Sequence, residues 1–70
     1  GLFLDMDVQD NILAGAFAGD RALSETKKAQ IADRYRTELR IQTPSLKQPV
    51  RLLSGGNQQK CVLARWLHLN

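Results

Sequence analysis

Apolar residues recur at a helical spacing in three stretches of this 70-residue chain, and no stretch alternates apolar with polar over a strand's length. Residues three and four apart share one face of a helix, so this pattern predicts an all-α fold of three helices joined by irregular loops. Val8, Ile12, Leu13, Ala16 and Phe17 give the first face, in a helix of about residues 8–18. Asp7 stands at its N-cap, Asp10 occupies the capping-box acid position, and Gly19-Asp20 breaks it. Ser24 caps the second helix, which carries Ile31, Ala32, Tyr35 and Leu39 as a stripe and runs to about Arg40. Thr43-Pro44 and Pro49 mark irregular chain, with room for one helical turn over Ser45 to Gln48. The third helix spans Gln58 to Leu69, with Val62, Leu63, Trp66 and Leu67 as its apolar face.

Such a short chain holds one domain at most, with a marginal core. One cysteine, Cys61, excludes an internal disulfide framework, and one histidine, His68, excludes a histidine-cluster metal centre. Cys61 reads as a small apolar packing residue and His68 as a late-helix residue favoured by the negative helix end. The longest uncharged stretch, Asn11 to Gly19, is too short to span a bilayer, and no signal peptide is visible, so a cytoplasmic location is expected. Gly1 is not an initiator methionine, which suggests a chain that begins mid-protein or was processed.

The net charge of +3 is unevenly placed. Asp5, Asp7, Asp10 and Asp20 are the only charges among the first twenty residues, and all ten basic residues follow. One reading is a basic helical module for nucleic acid, using Lys27, Lys28, Arg34, Arg36 and Arg40. Of the aromatics able to stack on bases (Phe3, Phe17, Tyr35, Trp66), three fall on expected apolar faces, which favours a solvated helix surface instead. A purely structural interaction domain is a further alternative.

The segment Leu53-Ser54-Gly55-Gly56-Asn57-Gln58-Gln59-Lys60 carries the most chemistry. The first N–H groups of a helix have no internal partners and sit at the positive end of its dipole. A serine hydroxyl and two unshielded glycine amides at that point make an anion site, with phosphate the commonest large occupant. On the physics alone a plain helix cap remains the simpler reading.

The whole string resembles the signature motif of ATP-binding-cassette (ABC) ATPases, in the version found in simple-sugar importers. The full glycine pair resembles that of the second of their two nucleotide-binding domains. Gly1-Leu2-Phe3, Asp7 to Ile12, Ile41 to Ser45 and Val62 to Leu67 are also similar to the family pattern, so nearly all 70 residues are covered. Asp7 and Asp10 stand where the family often has Ser and Glu, and Cys61 where Val is usual. The resemblance implies a helical subdomain, residues 1–70, excised from a larger α/β ATPase. It implies that Ser54, Gly55, Gly56 and Gln58 face the γ-phosphate of ATP held by the opposite nucleotide-binding domain. A phosphate loop, an Asp-Glu strand and a switch histidine are not found in the chain, so the catalytic base and Mg²⁺ ligands are expected elsewhere in the parent. Implied partners are the second nucleotide-binding domain and a membrane permease, with no nucleic acid, at the inner face of the cell membrane. Leu2, Phe3, Leu4 and the third helix's apolar face would pack on the parent core, so the isolated chain is expected to be inactive and to self-associate.

Overall fold

A computed structural model describes residues 3–14 and 23–69. Among these the fold is all-α: α1 Val8–Leu13, α2 Glu25–Leu39 and α3 Gly55–Leu69, with a single 3₁₀ turn at Val50–Leu52 ahead of α3. No described helix is long and apolar enough to cross a membrane.

Asp7 caps α1 as expected, its Oδ1 accepting from the Asp10 N–H at 2.7 Å. The helix is shorter than its apolar spacing implied. It stops at Leu13, where Ala14 turns to extended backbone and donates to the Asn11 carbonyl. Ala16, Phe17, Gly19 and Asp20 lie outside the described residues. Six residues are too few for a helix to hold itself in water, so α1 depends on its surroundings. Val8, Gln9, Asn11 and Ile12 are fully buried. The Val8 and Gln9 N–H groups, which have no partner within the helix, donate to the Gln48 and Leu46 carbonyls at 3.1 and 3.0 Å.

The chain around Pro49 runs antiparallel to the stretch before α1. Asp7 pairs with Pro49, the Val50 N–H donates to Met6 O at 3.0 Å and that of Arg51 to Leu4 O at 3.1 Å. Asn11 clasps the same stretch from inside. Its Oδ1 accepts from the Phe3 N–H at 2.8 Å, and its Nδ2 faces the carbonyls of Phe3, Met6 and Asp7. The helical turn expected over Ser45–Gln48 is a tight turn instead, closed by Gln48 N–H to Ser45 O at 3.4 Å. The helical turn forms after Pro49, whose fixed φ suits a helix start.

Ser24 caps α2 through the Lys27 N–H. The helix closes at Arg40 in the left-handed region, φ 55°, with the Ile41 N–H returning to Arg36 O at 2.9 Å. Ala32 and Tyr35 enter the core, with Ile31 and Leu39 packed against it. On the outer side Lys28 pairs with Glu25, Arg34 with Glu38 and Arg36 with Asp33. Three of the five cations proposed for a nucleic-acid patch are thus neutralised along their own helix, and Tyr35 is buried.

The inward face of α3 is made of small residues. Cys61 and Ala64 are fully buried, and His68 on the same face meets Tyr35 edge-on, ring centroids 5.9 Å apart. The stripe read from the sequence faces outward: Val62, Leu63, Trp66 and Leu67 are all exposed, with Trp66 at 60%. Small side chains let α3 lie close on α1 and α2, which leaves the large ones on the far side.

Burial pushes the Cys61 thiol up to about 11 from 9.0. Below pH 9 both folded and unfolded thiols keep their proton, so the stability is intact. Between pH 9 and 11 the unfolded thiol ionises first, so stability falls, by about 2–3 kcal/mol at most. Urea unfolding from pH 8 to 11 should show this loss in the parent chain and a smaller one in Cys61→Ala. Parallel curves would show that burial of Cys61 does not hold the thiol neutral.

Candidate functional site

The 3₁₀ turn ends at Leu53, which is buried, and the next residue brings the chain to the surface. Ser54 is exposed and acts as N-cap of α3: its Oγ accepts from the Asn57 N–H at 3.3 Å, and its carbonyl takes the first helical bond, from the Gln58 N–H at 2.9 Å. The helix therefore begins at Gly55, three residues earlier than the expected Gln58, and both glycines lie in its first turn. Their N–H groups are among those a helix leaves without internal acceptors. No acidic side chain stands in this first turn to offset the positive end of the dipole.

Glycine is a poor helix residue, costing roughly 1 kcal/mol against alanine in a helix interior. Nothing among the described residues requires it here. A Cβ at Gly55 or Gly56 would meet no atom within 4 Å, and neither residue has a positive φ. The pair leaves a bare patch of main chain beside an exposed serine hydroxyl. Next to it an open groove of about 460 Å³ is lined by Leu4, Gly55, Gln58, Gln59 and Val62.

Of the four residues singled out in the sequence, Ser54, Gly55 and Gly56 present their donors together at the surface. Gln58 is turned the other way. Its Nε2 faces the carbonyls of Leu53, Val50 and Arg51 at 3.1, 3.3 and 3.4 Å, and so holds the 3₁₀ turn against the helix start. Two supports were not legible beforehand. Asn57 links Ser54 to the chain after α2, its Oδ1 accepting from the Gln42 N–H at 2.9 Å and its Nδ2 donating to Ser54 Oγ at 2.9 Å. Lys60 donates through Nζ to the Arg40 carbonyl at 3.0 Å, fastening α3 to the end of α2. Only the pairing of amide-bearing Asn57 with a capping serine three residues back hinted at the first. Among the described residues no group of three or more His, Cys, Asp or Glu side chains is placed to hold a metal ion.

Among the described residues, fold and site together define a small all-α unit with an exposed, glycine-led helix N-terminus. The chain is 49% identical to a ribose/galactose/methyl galactoside import ATP-binding protein of Burkholderia lata, described as putative, over 96% of its own length. It is 41% identical, again over 96% of its length, to the galactofuranose transporter ATP-binding protein YtfR of Escherichia coli. An arabinose import ATP-binding protein of Ralstonia nicotianae is 58% identical over 64% of the chain and 9% of its own length. The chain spans 14% of the length of the first two relatives. No protein-family model matches it, and no solved structure does. The chain belongs to the family of ATP-binding proteins of ABC sugar importers.

Replacing Gln58 by alanine should strip three carbonyls of their side-chain partner and cost about 1 kcal/mol. The same change at exposed Gln59 should cost less than about 0.5 kcal/mol. Urea unfolding of both variants checks the difference; equal midpoints would remove Gln58 as a strut.

Proposed function

We propose that this segment is the signature-bearing helical subdomain of the second nucleotide-binding domain of a monosaccharide-importing ABC ATPase. Ser54, Gly55 and Gly56 would face the γ-phosphate of an ATP molecule held by the opposite nucleotide-binding domain. The observation that carries this reading is the bare glycine pair, which the packing and backbone of the described residues do not demand but close approach of a phosphate would. The helix start fits the nucleotide's phosphate: uncompensated N–H donors, a hydroxyl, and no carboxylate in the first turn. The described residues do not supply a Mg²⁺ site, and that ion is assigned to the rest of the parent protein.

ATP supplies the phosphoanhydride bond whose hydrolysis drives transport. The part played by this segment is to aim fixed donors where negative charge builds up, which needs no rearrangement during the reaction. Gln58 would join those donors only by releasing the carbonyls it spans. The exposed residues Phe3, Leu4, Val62, Leu63, Trp66 and Leu67 are the surface on which the rest of the nucleotide-binding domain would pack. The partners in this reading are the second nucleotide-binding domain and a membrane permease, which the subdomain helps to couple to ATP hydrolysis at the cytoplasmic face of the membrane.

In the full-length protein, Ser54→Ala should lower ATP turnover on the order of a hundredfold while costing about 1 kcal/mol of local stability. Gly56→Val should be worse, because a branched side chain blocks approach to the main chain. Equilibrium ATP binding should change little in either variant, the opposite domain holding most of the nucleotide. Steady-state ATPase measured beside ATP binding is the test, and unmodified turnover in both variants would make Ser54 a cap and nothing more.

The isolated chain should hydrolyse no ATP and bind it more weakly than micromolar. Its uncovered apolar surface should make it self-associate at tens of micromolar, since burying one large apolar side chain gains roughly 1.5–3 kcal/mol. Calorimetry with magnesium and ATP, beside sedimentation, decides both points. Micromolar affinity, or a stably folded monomer, would contradict the excised-subdomain reading.

A further inference from the structure

We infer that Asn57 is a positioning residue that aims the Ser54 hydroxyl proton outward, an inference that rests on the phosphate-facing reading of Ser54 above. A serine hydroxyl has two lone pairs and one hydrogen. Both lone pairs of Ser54 are engaged by Asn57, whose main-chain N–H lies 3.3 Å and whose Nδ2 lies 2.9 Å from Oγ. What remains is the hydrogen, on an exposed oxygen beside two bare glycines. Ser54 is thus left as a donor toward the surface, as an incoming anion requires.

The direction of the Asn57 amide is fixed by its other end. The Gln42 N–H can only donate, and it lies 2.9 Å from Oδ1. With the oxygen committed there, the nitrogen must face Ser54; a flipped amide would set one donor against another. The chain just after α2 therefore holds the amide, the amide holds the hydroxyl, and the hydroxyl is polarised by two donors at once. Hydrogen bonds in such a chain strengthen one another.

Asn57→Asp tests this with little change of shape. The aspartate keeps an oxygen for the Gln42 N–H but puts a second acceptor against Ser54, so the hydroxyl turns inward to donate to it. An acid at this helix position also favours the dipole, so the folded state should lose no stability. Asn57→Ala removes the side-chain donor without adding charge. Both are made in the full-length protein, alone and combined with Ser54→Ala, and read by kcat and KM for ATP together with the thermal unfolding midpoint. We expect each to lower kcat about tenfold or more with KM little changed, and Asn57→Asp to keep the unmodified midpoint. In the Ser54→Ala background neither should cost more than about a further twofold, because the hydroxyl they act on is gone. If both Asn57 variants turn over at the full rate, or lose the same factor with and without Ser54, the positioning role is overturned while Ser54 keeps its own. If Ser54→Ala itself turns over normally, the reading beneath fails first.

Discussion

The carbonyls of Leu46 and Gln48 accept the two N–H groups that open α1, and the chain beyond them pairs back on Leu4 and Met6. This stitching of residues 46–51 onto the stretch before α1 is what the remaining architecture rests on. It lets a six-residue helix survive in the core, where Val8, Ile12 and Val50 pack with nothing left exposed. It also sets where the 3₁₀ turn ends, and so where α3 begins. Gln58 then ties that turn to the helix from above, and Lys60 ties the helix to the end of α2. The start of α3 is held from three directions, while its first two residues carry no side chain at all.

On the proposed reading, that combination is how so small a unit would present fixed donors to an anion. Fixed donors act on a developing charge only if they do not have to be ordered first. Here the ordering lies in the folded chain: a buried Leu53 before the cap, a strut behind it, and an amide beside it. The exposed apolar side of α3 belongs to the same economy of space. Cys61 and Ala64 are small enough to bring the helix close to α1 and α2, which leaves Val62, Leu63, Trp66 and Leu67 exposed on its far side.

Much of this was legible in the sequence where the cause is local. The caps at Asp7, Ser24 and Ser54 are read from one side chain and an amide three residues on, and all three form. The stripe of α2 is borne out by Ala32 and Tyr35, because polar residues cover its other side. What could not be read depends on contacts distant in sequence. The end of α1 at Leu13 is set by the chain around it, and alanine, the best helix former, gave no sign of it. The stripe of α3, Val62, Leu63, Trp66 and Leu67, is exposed as expected of a face with no partner in this chain, and Cys61 is buried as expected; Ala64 gave no sign of facing inward because its side chain is too small to mark a stripe. Asn11 and Asn57 look like ordinary polar residues in sequence and Gln58 is marked for the phosphate, yet each spends its amide on backbone or a hydroxyl brought near by the fold.

Main chain at Gly55 and Gly56 left bare for a phosphate would be shielded when the nucleotide binds. Hydrogen exchange of the full-length protein, resolved to single amides, with and without a slowly hydrolysed ATP analogue and magnesium, addresses it directly. Protection should appear at the amides of Gly55 and Gly56, while Cys61 to Leu69 exchange as before. If the nucleotide slows exchange at the opposite domain's phosphate site while Gly55 and Gly56 exchange at the nucleotide-free rate, those amides do not meet the phosphate and Ser54 is only a helix cap.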